Sequence, residues 1–172
     1  MRPEPHKELG SDGKGGRHAD ARRIRSRYQS GLIAGVIAGT VMAMAMMLFA
    51  LVGGDSVWAQ PNLIAAMWLG PHVATDALGV PTMIGFLTHE ATSALMGIVA
   101  VPFVAKLSST RTLLASLAYA LASYPLVFTL VISWANPLMF QRASMVQMTW
   151  GHLLFGAVFG AMYLPLTGRV AR

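Results

Sequence analysis

The sequence has no cysteine, only seven acidic residues, and long stretches with no charge of either sign. Without thiols there can be no disulfides, thiolate zinc sites, iron–sulfur clusters or cysteine nucleophiles. Charged residues make up 12% of the 172, against roughly a quarter in an ordinary soluble domain. So little charge cannot cover the surface of one water-soluble domain, which argues against a soluble enzyme fold. No phosphate-cradling glycine loop, nucleophile–base pair or paired-carboxylate arrangement occurs in the apolar stretches, so an enzyme is not expected.

What the chain does have is 55% hydrophobic residues and a mean hydropathy of +0.54. Residues 28–54, 91–105, 112–141 and 143–168 contain no Asp, Glu, Lys or Arg. About 20 apolar residues at 1.5 Å rise each cross a hydrocarbon core of roughly 30 Å. Four transmembrane helices are therefore predicted, at about 31–52, 82–105, 112–134 and 145–166. The first run is too long for a signal-peptide core of 7–15 residues and reads as an anchor. The expected fold is all-α, an integral membrane four-helix bundle over residues 31–172. Residues 1–30, rich in Gly, Pro and charge with little to bury, read as a disordered basic tail.

With four spans, both termini and the Lys106–Arg111 turn share one side. Twelve of the 13 basic residues fall there, and only Arg142 falls on the other. The positive-inside rule makes that side cytoplasmic. Arg22, Arg23, Arg25 and Arg27, directly before a span, are expected to contact anionic lipid heads rather than nucleic acid.

The chain also resembles itself. Trp58-Ala59-Gln60-Pro61 follows the first span and Trp134-Ala135-Asn136-Pro137 the third; His89, Gly97 and Pro102 in the second match His152, Gly160 and Pro165 in the fourth. Both later patterns read H-x7-G-x4-P. Two matches in the same order suggest tandem two-helix repeats related by a parallel pseudo-two-fold along the membrane normal. Each histidine lies about eight residues, hence about 12 Å, into its helix. The long connection 53–81 is expected to hold a short interfacial helix at about 61–69, with Pro61 at its first position.

Lipid tails are as apolar as leucine, so spans associate through close backbone contact and polar cross-links. Gly31, Gly35 and Gly39 step along the first span, Gly97 lies in the second, and Gly156 and Gly160 lie in the fourth; all six are expected at helix contacts. Pro125 should kink the third span or leave a carbonyl unpaired. The 12 methionines invite a copper reading, since thioethers select Cu(I). By spacing, though, only Met42 and Met46 of the first-span cluster share a face, and packing is the reading adopted.

Ionisable residues inside a membrane are functional candidates by default. Three qualify: His89, Glu90 and His152. A histidine above a groove of small residues (Ser93 and Gly97, or Gly156 and Gly160) suits a flat ligand. Haem iron accepts a histidine on each face, so haem b with His89 and His152 as ligands is one reading. A metal held by His89, His152 and Glu90 is another, although a four-ligand zinc site would need His72 or Asp76 as well. The plain alternative is hydrogen bonding between helices. Glu90 could also serve a transporter as a proton-relay acid.

The glycine-stepped, methionine-rich first span and the H-x7-G helices resemble small bacterial inner-membrane proteins of the YagU-like kind, over most of residues 31–166. That resemblance implies a four-helix protein of the bacterial cytoplasmic membrane and supplies no reaction. The function expected from sequence is non-enzymatic: an accessory or structural subunit, working through helix packing with a membrane-protein partner or with itself. Haem or metal binding and transport through Glu90 are the alternatives.

Overall fold

The computed structural model of the chain describes residues 12–168, and all regular structure among them is helical. Seven α-helices follow one another: α1 Asp12–Val52, α2 Ala59–Leu69, α3 Val80–Val104, α4 Ser109–Val127, α5 Ser133–Ala135, α6 Pro137–Arg142 and α7 Met145–Leu166. A 3-10 turn, Pro71–Val73, follows α2, and a π-helical turn, Phe128–Ile132, joins α4 to α5. Four segments are long and apolar enough to cross a membrane: Arg22–Val52, Val80–Val104, Ser109–Ala135 and Met145–Leu166.

The outer surface of these helices is apolar. Leu51, Leu87, Leu95, Phe103, Leu114, Leu130 and Trp150 are all exposed, whereas Ser30, Thr82, Ser93, Thr112 and Ser116 are buried. A fold with small polar residues inside and large apolar ones outside is stable where lipid replaces water, because side-chain hydroxyls can bond the helix interior and leucine meets hydrocarbon. The chain is a multi-pass, all-helical membrane protein.

The expected spans differ from the observed helices mainly at the first. Instead of starting near residue 31, α1 is already helical from Asp12, so the tail predicted to be disordered is helical over 12–30; its first 11 residues lie outside the described residues. Once the span has supplied a nucleus, adding one residue requires fixing only that residue for one further hydrogen bond. At 1.5 Å per residue the 41 residues of α1 measure about 60 Å, twice the hydrocarbon core. Arg22, Arg23 and Arg25 on this extension are exposed and Arg27 is half-buried.

The long helices pack as α3–α1–α7–α4, with α3 and α4 scarcely touching. Small residues set each close pair. A Cβ on Gly35 would meet the Gly97 Cα at 2.9 Å, and one on Gly97 would collide with the Gly31 carbonyl oxygen. Gly39 faces Ser93 at collision distance. In the other pair a Cβ on Gly156 would meet the Ser116 carbonyl oxygen at 2.8 Å, and one on Gly160 the Ser116 hydroxyl at 3.0 Å. All six glycines expected at helix contacts are thus occupied inside the chain. A strict pseudo-two-fold would make the α3–α4 contact equal to α1–α7. Instead, α1 and α7 pack closely, and α3 meets α4 chiefly through Tyr119, which donates to the Met96 carbonyl at 3.0 Å and stacks on Phe103.

Two buried asparagines fasten the connections at the end opposite the termini. Asn62 on α2, with no exposed surface, donates from Nδ2 to the carbonyls of Thr75 (2.7 Å) and Ala77 (2.8 Å) and accepts from the Thr82 hydroxyl at 2.8 Å. It ties α2, the loop after it and the start of α3 together. Asn136 caps α6 by accepting from the Met139 N–H at 3.0 Å, and donates to the Leu63 carbonyl at 2.8 Å. The segment expected as an interfacial helix is thus docked into the bundle: Gly85 of α3 lets the Pro61 carbonyl approach, and Trp68 Nε1 donates to Thr88 at 2.9 Å.

Candidate functional site

Where α3 and α4 part, a cavity of about 160 Å³ opens at the α2 end of the bundle. Its walls come from the last turns of α1, from α2, from the first halves of α3 and α7, from the end of α4 with its π turn, and from α6. His89 and His152 both line it. The two histidines of the two H-x7-G-x4-P helices, 63 residues apart in sequence, therefore border one space.

Each ring is held by a backbone carbonyl. His89 Nε2 lies 3.0 Å from the Gly39 carbonyl oxygen, and His152 Nδ1 lies 2.8 Å from that of Met148. A carbonyl only accepts, so these are the nitrogens that carry hydrogen, and in the neutral ring the other nitrogen bears a lone pair. Gly39 is well suited to its part, since any side chain there would collide with Ser93. His152 also packs against Tyr124, ring centroids 4.7 Å apart, at the start of an aromatic run through Phe128 to Phe140. The Tyr124 hydroxyl donates to the Met145 sulfur at 2.7 Å.

The other cavity hydroxyls are mostly engaged too. Thr88 donates to Ile84, Thr92 to Thr88 and Ser123 to Ala120, each on its own helix. The remaining wall is sulfur-rich: Met42, Met46, Met47, Met67, Met96, Met139 and Met148 all line the space. That is seven of the chain's 12 methionines, while none of its 21 leucines lines it.

Glu90 does not join the histidines. It turns toward α1, where Oε1 accepts from the Thr40 hydroxyl at 3.2 Å and Oε2 is buried without a partner among the described residues. Adjacent helical residues point about 100° apart, which separates Glu90 from the cavity. No cluster of three or more His, Asp or Glu suited to a metal occurs among the described residues, so the expected set of His89, His152 and Glu90 is not assembled.

A haem does not fit. The space beneath the histidines, expected to leave room for a macrocycle, is filled by residues of α1 and α4 packed against those small residues. The cavity compares with the engineered one of about 150 Å³ that takes a single benzene, and a porphyrin carries four pyrrole rings. The histidines were legible from sequence as rare ionisable groups in a span. Asn62, Asn136, Gly85, Tyr124 and the sulfur lining were missed, and no local pattern pointed to them.

No family model, curated protein or solved structure matches the chain.

Proposed function

We propose that this protein is a binding protein of the bacterial cytoplasmic membrane, which receives a small guest in the cavity between its two helix pairs. The observation behind this reading is that His89 and His152, from opposite halves of the chain, line one apolar space with one ring nitrogen each left for a ligand. The basic-residue asymmetry supports cytoplasmic termini, which puts the cavity in the outer half of the bilayer. No acid lies among the lining residues, which supports binding rather than catalysis. An accessory subunit working through its glycine stripes has less support, because those stripes are filled from within; a partner or second copy would have to take another face.

Phenol tests the reading, being one ring with one hydroxyl that can donate to an imidazole lone pair. In detergent-solubilised protein carrying 13C-methyl methionine, phenol should shift the resonances of the lining methionines and leave Met44 and Met83, exposed on the outer surface, unmoved. Equal shifts at all of them, or none at any, would sink it.

A further inference from the structure

The walls of the cavity are Lewis-basic. Both imidazoles commit an N–H to a backbone carbonyl, three hydroxyls donate to their own helices, and the Tyr124 hydroxyl is turned to Met145. With those donors used, the lining residues keep lone pairs on nitrogen, oxygen and thioether sulfur for a guest, and the Ser93 hydroxyl and the Gln60 amide are the remaining donors among them. Such a lining calls for a guest that accepts electron pairs.

We propose that the cavity is a site for one soft monovalent cation, Cu(I), held by His89 Nδ1, His152 Nε2 and the thioethers of Met42 and Met46. This deepens the ligand-binding reading and rests on it. Thioethers select Cu(I), imidazole suits copper among other transition metals, and hard divalent cations take carboxylate and carbonyl oxygen. The one nearby acid, Glu90, is bonded on α1 instead. Met42 and Met46 line the same space as the two rings and belong to α1, which packs against both helices carrying those rings. They follow Gly39, whose carbonyl holds His89, by three and seven residues on one face of α1. They pack on Gly151, the neighbour of His152, where a Cβ would meet Met42 Cε at 2.9 Å and Met46 Sδ at 3.2 Å.

Packing alone does not explain this sulfur. Methionine fills irregular gaps, but leucine fills cores as well, and a wall chosen only for bulk would draw on both. Here seven methionines and no leucine line one space. The carbonyl bonds to the far side of each imidazole are also what fixes ring orientation and tautomer in metal-ligating histidines.

The full chain in detergent, kept anaerobic, is titrated with Cu(I) against a chromophoric chelator, and with Ag(I) as a redox-inert substitute while the methionine methyls are followed. The expected result is one Cu(I) per chain, the largest Ag(I) shifts at Met42 and Met46, and no competition from Zn(II). Met42→Leu/Met46→Leu, nearly volume-conserving, should lose stoichiometric Cu(I) binding, as should His152→Phe. Cooperative thermal unfolding followed by helical circular dichroism reports that each variant still folds; a variant that does not is replaced by wild-type chain with norleucine in place of methionine, which should likewise bind no Cu(I). Cu(I) retained without the two thioethers, displacement by Zn(II), or shifts confined to exposed Met44 and Met83 would overturn the assignment. If phenol enters but Cu(I) does not bind, the cation is wrong and the cavity reading stands; if neither binds, both fall.

Discussion

The α1–α3 pair and the α4–α7 pair are built on the same sequence plan but solve the contact differently. In the first, glycine faces glycine and backbone meets backbone: Gly31 and Gly35 against Gly97. In the second, Gly156 meets the Ser116 carbonyl oxygen and the Leu117 Cα beside the Ala120 methyl, but Gly160 meets only side-chain atoms, of Ser116 and Leu113. Backbone-on-backbone contact leaves nothing that can rotate aside, whereas a seam containing side chains can yield. The first pair should be the stiff half of the molecule and the second the half that adapts, and the cavity lies along the line where they diverge.

The sharpest way to break that comparison is to add one methyl group to each seam. Gly97→Ala sets a Cβ against the Gly35 Cα at 2.8 Å and into the Gly31 carbonyl oxygen, so α1 and α3 must separate. Overpacking costs typically 1–3 kcal/mol, and here about 3 kcal/mol is expected because the opposing atoms are backbone. Gly160→Ala meets the Leu113 Cδ2 at 3.1 Å and the Ser116 hydroxyl at 3.0 Å, atoms of side chains that can shift, and should cost less than about 1 kcal/mol. Thermal unfolding of both variants in the same detergent checks the order. Equal losses would mean that the two halves do not differ in stiffness.

The asparagines extend the comparison to the connections. Asn62 makes three hydrogen bonds and has no exposed surface; Asn136 makes two, one of them a cap on the short helix α6. Leaving buried partners unsatisfied costs about 1–3 kcal/mol each before relaxation or entry of water. Asn62→Ala is therefore expected to destabilise by about 2–3 kcal/mol and Asn136→Ala by about 1–2 kcal/mol. Hydrogen exchange should show the loop after α2 opening in the first variant and α6 opening in the second. If Asn136→Ala loosened the 70–79 loop as much as Asn62→Ala does, the division of labour would be wrong.

How much of this was legible in the sequence depends on which forces act locally. The spans were legible because charge is excluded from hydrocarbon residue by residue; α7 runs from Met145 to Leu166, the range expected. The extension of α1 back to Asp12 was not, since its glycines and charged residues leave no apolar period to read and the helix there is propagated from the span. His89 and His152 stood out because ionisable residues are rare in membranes. The sulfur lining did not, because Met42 and Met46, Met67, Met96, Met139 and Met148 come from five helices and only packing brings them together. The buried asparagines were hidden for a related reason: an amide in a connection ordinarily faces water, and nothing local says that these two turn inward.

The smallest expected effect on stability concerns a feature that one half has and the other lacks. Pro125 has no N–H to give the Leu121 carbonyl, and one turn later α4 widens into the π turn Phe128–Ile132. The Phe128 N–H reaches both the Tyr124 and Pro125 carbonyls, and the Thr129 hydroxyl donates to Pro125 at 2.6 Å, so the carbonyls at the widened turn keep partners. At the matching place in the first half stands Phe49, in an unbroken helix. A π turn admits one extra residue and so rotates the rest of the helix by about 100°; here it sets Phe128 beside Tyr124 and under Phe140 on the cavity wall. Pro125→Ala restores the missing donor and lets the helix close to α geometry. Its unfolding free energy should change little, because local π geometry and neighbouring helices accommodate a proline within a membrane span, while the phenol-induced shifts at Met139 and Met148 should diminish as the aromatic wall turns away. A variant with unchanged stability and unchanged phenol response would show that proline does not shape this wall, and that the asymmetry between the halves must be sought in the connections instead.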